Sequence, residues 1–335
     1  MSRKVRLGLV GCRGWSRSIT QPAIRQCKDV ELVAVANRPE NQQPARDVAE
    51  AFGATFFPSI EELVRCDEVE AVVMITPNEV HREQTELCLA AGKHVFIEKP
   101  IANTVEDGMA MARAAEASGL VMQVGHNTRQ RRAAKHALRL MKEGAIGQVI
   151  GAEFQYCHNG AARLAPDAWR QDPAKAPGLP LVQLGIHGID VMNMFFGRPR
   201  TVASFHRKAV LPRNLDCTAS IVAYDDPITV TLSSNYVVPL TIWFRCLGTE
   251  GTIEAQDFYR KMVIKRMGRD TEEVDYPEDL STVTEMTAFA KAVRGEIPVE
   301  TDGRAGVYAL AVVEASIKSA QENRFIEIDE IIGDF

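Results

Sequence analysis

Two short segments carry the side chains best suited to chemistry. The first is Glu98-Lys99-Pro100, which follows the apolar run His94-Val-Phe-Ile97. A lysine just past a buried strand, with a proline behind it, is held in place. Its ammonium can bond a substrate hydroxyl or a developing alkoxide, and Glu98 is placed to orient it. A solvated Glu–Lys pair of negligible energy fits poorly with the buried run before it. The second segment is Gln183-Leu-Gly-Ile-His187-Gly-Ile-Asp190. On an α-helix, spacings of four and three put Gln183, His187 and Asp190 on one face. Histidine is the commonest general base near neutral pH. A lone histidine on an apolar helix is ordinarily a hydrogen-bonded core residue. Two polar neighbours on its face, after a long loop, favour a functional role.

Three other segments read as cofactor-binding. Gly8-Leu-Val-Gly11-Cys-Arg13-Gly14-Trp15-Ser16 follows the first apolar run. A dinucleotide loop needs glycines for its tight turn and for close approach of a pyrophosphate. This match is degraded, with Arg13 and Ser16 at the second and third glycine positions and Gly14 nearby. Its place after the first strand of a strand–helix series favours a nucleotide over a plain turn. Arg13 can add a cation near the phosphates, or simply face water. The second run ends in Asn37-Arg38, where an NAD site usually has an acid for the ribose 2′-hydroxyl. A carboxylate would repel a 2′-phosphate, whereas Asn with Arg can hold one. NADP is therefore the expected cofactor, and NAD stays open if Arg38 only stacks on adenine or faces water. Thr76-Pro77-Asn78-Glu-Val-His81 ends another strand where ligands bind open α/β sheets. Thr76, Pro77 and Asn78 are placed near the cofactor. The bland readings are Asn78 as a helix N-cap and His81 as structural.

The elements that must position these residues divide into two patterns. Apolar runs at Val5–Val10, Leu32–Ala36, Ala71–Ile75, His94–Ile97 and Leu120–Val124 read as strands buried on both faces. Helices alternate with them, one opened by the capping box Ser59-Ile-Glu-Glu62 and one by the similar Thr104-Val-Glu-Asp107. This predicts a doubly wound parallel sheet over residues 1–126. Beyond, a helix near Arg131–Met141 precedes strands near 149–157, 200–208, 216–224, 228–235, 240–247 and 261–266, and helices near 282–294 and 304–322 close the chain. That half, 127–335, is expected to be an α+β domain with a large, mostly antiparallel open sheet. The loop Ala165–Pro180 is long enough to be functional. Arg131, Arg132, Lys135, Arg139 and Lys142 are expected to decorate a helix surface.

Composition bounds the function. The chain has 335 residues, 46% hydrophobic and 25% charged, with net charge −5. That suits a two-domain globular protein and argues against general nucleic-acid binding. No apolar stretch approaches ~20 residues, and Met1-Ser-Arg-Lys lacks a signal-peptide profile. The seven cysteines are scattered without a Cys-x-x-Cys pair, as expected of buried thiols in a reducing cytosol. No metal site is expected.

On these residues the chain resembles the glucose–fructose oxidoreductase/inositol dehydrogenase/MocA family of oxidoreductases. The resemblance spans nearly the whole chain. It rests on the degraded glycine loop, Thr76-Pro-Asn78-x-x-His81, Glu98-Lys99-Pro100 and Gly185-x-His187-x-x-Asp190. It implies a Rossmann domain, and an α/β domain whose open sheet commonly forms a dimer or tetramer interface. It also implies metal-free, NAD(P)-dependent oxidation or reduction of sugars, cyclitols or related alcohols; no membrane partner is expected, because no apolar stretch is of spanning length. The matching Lys99 would act on the reacting oxygen and His187 in proton transfer. Dehydrogenases of the family often have Asp where this chain has Gln183, and a neutral amide cannot stabilise an imidazolium as a carboxylate does.

Substrate-binding material is expected at Lys99, Gln183 and His187, and at Asn127, Arg129, Tyr156, His158, Trp169 and Arg170. Trp beside Arg suits a sugar face and its hydroxyls, while core packing or a solvated face is the commoner reading for each of these last six residues taken alone. Two other readings fit the same fold. One is a glycosidase that keeps its nicotinamide bound, and the other a non-catalytic nucleotide-sensing regulator, against which Lys99 and His187 together argue.

Overall fold

The computed structural model describes residues 3–278 and 280–335. The chain folds into two compact units, one running through Asn127 and including Leu280–Val307, the other running from Thr128 and including Tyr308–Phe335.

The first unit is built on six parallel strands: β1 (Val5–Val10), β2 (Val30–Ala36), β3 (Thr55–Phe57), β4 (Ala71–Met74), β5 (His94–Glu98) and β6 (Met122–Gly125). Their order is β3-β2-β1-β4-β5-β6. The chain therefore reverses direction across the sheet between β1 and β4, where open α/β sheets form their ligand crevice. The central strands read as apolar runs because both faces are covered: Leu7, Leu9, Val73 and Ile97 are fully buried. Ser59 and Thr104 cap their helices, each accepting the backbone N–H three residues on, at 3.4 and 3.2 Å. The expected 127–335 domain does not keep its late helix. Ser281–Val293 returns to the first unit, because Met286, Phe289 and Ala290 complete that unit's core and Phe289 meets Phe96 edge to face at 5.5 Å.

The second unit contains β7 (Val149–Cys157), β8 (Thr201–Arg207), β9 (Cys217–Ala223), β10 (Thr229–Asn235), β11 (Thr241–Gly248), β12 (Gly251–Gln256), β13 (Lys261–Arg266), β14 (Glu272–Asp275) and β15 (Ile326–Glu327). They form one sheet, ordered β14-β13-β12-β11-β7-β10-β9-β8-β15. The central β7–β10 pair is parallel; the other pairs are antiparallel. Phe154, Tyr156, Leu232 and Phe244 point into the core. The opposite face carries Phe205 and Ile221, 64% and 48% exposed, and a cross-strand group in which Arg245 pairs with Glu153 and Glu254. Among the described residues, no helix is long and apolar enough to cross a membrane.

Candidate active site

The turn after β1 is shaped by one close approach. Gly11 has φ +91°, and a Cβ there would lie 2.1 Å from the Ile75 carbonyl oxygen, just beyond β4. Only glycine lets the turn fold onto the sheet at the point where the strand order reverses. Gly14, by contrast, has no described atom within 4 Å of its Cβ direction, so the outer side of the turn is open. Gln21 pins the turn from behind, its side-chain amide donating to the Cys12 carbonyl at 3.2 Å and to Ser16 Oγ at 3.3 Å. Arg13 and Trp15 are exposed and Ser16 is buried. A narrow floor and an open outer side make a cradle that fits a pyrophosphate.

The neighbouring strand ends complete this half. Asn37 is buried, and its Oδ1 accepts the Arg38 backbone N–H at 3.0 Å. The exposed Arg38 side chain meets Glu40 at 3.6 Å, a pair too solvated to lock it. Beyond β4, Thr76 and Asn78 are half-buried and Pro77 exposed. Thr76 donates to Gln84 at 2.8 Å, and Asn78 does not cap the helix that follows. His81 is not at an open surface. Its ring is fully buried, with Nε2 3.1 Å from the Thr76 carbonyl and Nδ1 3.2 and 3.1 Å from those of Pro100 and Ile101. The cofactor-binding expectation for His81 is thus corrected: its ring clamps the ends of β4 and β5.

Glu98 closes β5, and its Oε2 accepts the Lys99 backbone N–H at 3.1 Å. The Trp15 side chain lies close enough to this carboxylate to favour its charged form. Glu98 therefore stands between the turn after β1 and the lysine that follows β5. Burial pushes its carboxyl up to about 7, against the pull of the Lys99 charge and these neighbours. Lys99 is half-buried, and Asn127, after β6, donates to Ser281 Oγ at 3.4 Å.

In the second unit, Leu181–Gly185 is a π turn that runs into the α-helix Ile186–Phe196. The expected regular α-helical face through Gln183 is therefore altered, because a π turn bonds i to i+5 and rotates Gln183 relative to His187. The side chains have separate anchors. Gln183 Oε1 accepts from Arg170 Nε at 3.2 Å, and His187 Nδ1 lies 3.3 Å from Thr128 Oγ1. Asp190 is fully buried and grips Arg129 through both carboxylate oxygens, one of the bonds being 2.8 Å. His187 and Asp190, one turn apart, thus clasp the consecutive residues Thr128 and Arg129.

Tyr156 is 1% exposed and supports this helix from beneath, so the expectation that it binds substrate is corrected. A Cβ on Gly188 would lie 2.7 Å from its ring, and its hydroxyl bonds that of the buried Tyr259. Arg131 is likewise not a surface residue. It is 7% exposed, lies 3.8 Å from the Phe258 ring centroid and donates to the Phe258 carbonyl at 2.9 Å. These contacts hold Asp257, Phe258 and Tyr259 at φ of 45°, 55° and 68°, conformations that cost energy in non-glycine residues. Trp169 is 43% exposed, Arg170 half-buried, and the His158 ring lies 4.5 Å from that of Tyr236.

Thr128 is the residue that sequence reasoning missed. The signal was a hydroxyl side chain shortly after the end of a buried strand, β6.

Residues 5–126 match the model described as "Oxidoreductase family, NAD-binding Rossmann fold", and residues 139–328 that described as "Oxidoreductase family, C-terminal alpha/beta domain". The chain is 28% identical to 1,5-anhydro-D-fructose reductase of Ensifer adhaerens over 334 residues, covering 97% of this chain and 98% of the relative. It is 24% identical to the NADP(+)-dependent scyllo-inositol 2-dehydrogenase of Bacillus subtilis, covering 97% and 96%. The crystal structure of aldose-aldose oxidoreductase from Caulobacter crescentus, complexed with glycerol, superposes with a TM-score of 0.88 at 23% identity, covering 97% and 100%.

Proposed function

The chain belongs to the glucose–fructose oxidoreductase/inositol dehydrogenase/MocA family of NAD(P)-binding oxidoreductases, and from that premise we propose that it moves a hydride between a secondary carbinol of a sugar, cyclitol or related alcohol and the nicotinamide of NADP(H). The observation that carries this reading is the seating of Gly11 on the Ile75 carbonyl, with Glu98 bonded to the Lys99 backbone at the end of β5. The turn Gly11–Trp15 would hold the pyrophosphate, Asn37 and Arg38 the ribose end, and Thr76–Asn78 with Glu98 the remainder. The nicotinamide, when bound, supplies the hydride donor or acceptor.

The chain's own residues handle the oxygen and the proton. The Lys99 ammonium bonds the reacting oxygen and stabilises its developing negative charge. His187 takes the proton in oxidation and returns it in reduction. When Nδ1–H donates to Thr128 Oγ1, Nε2 is the nitrogen that accepts it. The anhydrofructose and scyllo-inositol relatives, the second of them NADP(+)-dependent, support the substrate and cofactor classes. Asn37 with Arg38, in place of an acid, supports NADP over NAD. We further propose that the Phe205–Ile221 face of the second sheet joins copies of the chain into a homodimer or homotetramer. Its exposed apolar side chains are flanked by the self-complementary Arg245–Glu153–Glu254 group.

Calorimetric titration with NADP+ and NAD+, then absorbance at 340 nm with aldoses and cyclitols, tests the reading. Tighter NADP+ binding and net NADPH formation or consumption are expected. Arg38→Ala should weaken NADP+ by ~10-fold or more and spare NAD+, as loss of a charge-assisted hydrogen bond requires. Bound cofactor with no net absorbance change over the whole panel would contradict the oxidoreductase reading. A concentration-independent monomer in light scattering would contradict the assembly.

A further inference from the structure

Arg170 is held on three sides without being neutralised. Its Nε donates to the Gln183 amide oxygen at 3.2 Å, and its guanidinium carbon lies 4.5 Å from the Trp169 ring centroid. Its backbone carbonyl accepts from Asn214 Nδ2 at 2.9 Å. Asn214 is 2% exposed and also donates to the Ala176 carbonyl at 3.0 Å, so the turn carrying Arg170 is anchored in the interior. Three other arginines fixed by side-chain hydrogen bonds meet carboxylates: Arg129 meets Asp190, Arg245 meets Glu153 and Glu254, and Arg294 meets Asp29 and Glu296. Among the described residues no carboxylate pairs with Arg170. Its side-chain acceptor is a neutral amide, where an acid would have cancelled the charge.

The guanidinium is therefore preorganised with its formal charge in place. The Nε edge is engaged by Gln183. The terminal amino edge, on a half-buried residue beside a 43% exposed Trp169, has the fork geometry that pairs with two anionic oxygens at once. Gln183 precedes His187 by four residues, roughly 6 Å along a helix axis. A group bound at Arg170 would thus sit a few bonds from a carbinol carbon whose hydroxyl proton His187 handles.

We propose that Arg170 binds an anionic oxygen group on the substrate, the carboxylate of a sugar acid or the phosphate of a sugar phosphate, making the preferred substrates anionic sugars. The placement of that group near the reacting carbon rests on the role of His187 given above; the anion site itself does not.

The test is calorimetric titration of the full-length protein, saturated with NADP+, by D-glucuronate, D-glucose 6-phosphate and D-glucose. At least one anion should bind ~10-fold or more tightly than glucose, and which of the two binds better separates carboxylate from phosphate. Arg170→Met should remove that preference, and Gln183→Asp should do so as well, because a carboxylate at 183 would claim the guanidinium. Arg170→Lys, which keeps the charge and loses the fork, should retain part of it. Thermal unfolding of each variant confirms folding. Glucose binding as tightly as both anions, neither anion binding, or the preference surviving in either Arg170→Met or Gln183→Asp would overturn the proposal. Arg170-dependent anion binding without any 340 nm change would leave the anion site standing and count against the oxidoreductase reading instead.

Discussion

The turn after β1 and the helix around His187 hold their side chains by different means. In the first unit each candidate residue stands at the end of a buried parallel strand, and its position follows from the strand. Gly11 follows β1, Asn37 follows β2, Thr76 lies just past β4, and Glu98 ends β5. In the second unit the helix is fixed by a buried polar assembly drawn from distant parts of the chain. Arg129 and Asp190 are 61 residues apart, Tyr156 and Tyr259 are 103, and Arg131 and Phe258 are 127. A strand-end site tolerates change wherever the backbone approach is kept. A buried polar assembly concentrates its energy in a few pairs, so breaking one partner leaves the other stranded.

The largest expected effect follows from that contrast. Asp190→Ala leaves the Arg129 charge buried without its carboxylate, which should cost about 3–5 kcal/mol of stability. Denaturant unfolding measures this, and a loss under about 1 kcal/mol would mean that the assembly is not what fixes the helix.

Next in size is a pH effect confined to the second unit. His206, on β8, is 7% exposed, and neither ring nitrogen has a hydrogen-bond partner among the described residues. Burial holds its pKa down from 6.5 to about 4. An unfolded chain binds a proton below about 6.5 that the folded chain refuses until about 4. Stability should therefore fall as pH drops through that window, by about 3 kcal/mol in all. His206→Leu should flatten this slope; an unchanged slope would place the acid sensitivity elsewhere.

In the first unit the matching probe is Gly11→Ala. The added methyl meets the Ile75 carbonyl in a backbone conformation that alanine disfavours. NADP+ affinity should fall ~10–100-fold by calorimetry, and affinity kept within twofold would show that the turn does not carry the cofactor.

The smallest effect sharpens the comparison most. Thr128→Val removes the hydroxyl from His187 Nδ1 and nearly preserves volume. A hydrogen bond of this kind contributes about 1 kcal/mol, so kcat should drop by roughly 5–10-fold with the pH–rate limb displaced, and Thr128→Ser should restore both. A fall in kcat without movement of the limb would give Thr128 only a packing role.

The same contrast explains what could be read from the sequence. Val5–Val10 and Ala71–Met74 announce themselves because strands buried on both faces are unbroken apolar runs. Edge strand β3, three residues long, offers no such run. Strand β12 escapes because only Ile253 and Ala255 of its six residues are buried. The return of Ser281–Val293 to the first unit was invisible because an amphipathic face says that it must be covered, not by which core. The candidacy of Lys99 and His187 rests on residue type and setting, which a sequence displays. Thr128, Arg129 with Asp190, and Tyr156 with Tyr259 were not legible, because hydrogen bonds between residues tens of positions apart leave no local pattern. Gln183 is the intermediate case: its spacing was legible, but the π turn that redirects it toward Arg170 was not.

The most direct test of the central claim, that Lys99 bears the reacting oxygen and His187 the proton, is the pH dependence of kcat/KM for NADPH-linked turnover, followed at 340 nm with the best substrate of the panel. Wild type, Lys99→Met and His187→Asn are compared, with NADPH affinity measured alongside. His187→Asn should fall ~10²–10⁴-fold and lose the titrating limb. Lys99→Met should fall ~10²–10³-fold and keep that limb, with NADPH affinity nearly unchanged in both. A His187→Asn enzyme with the wild-type rate and the wild-type limb would contradict the account.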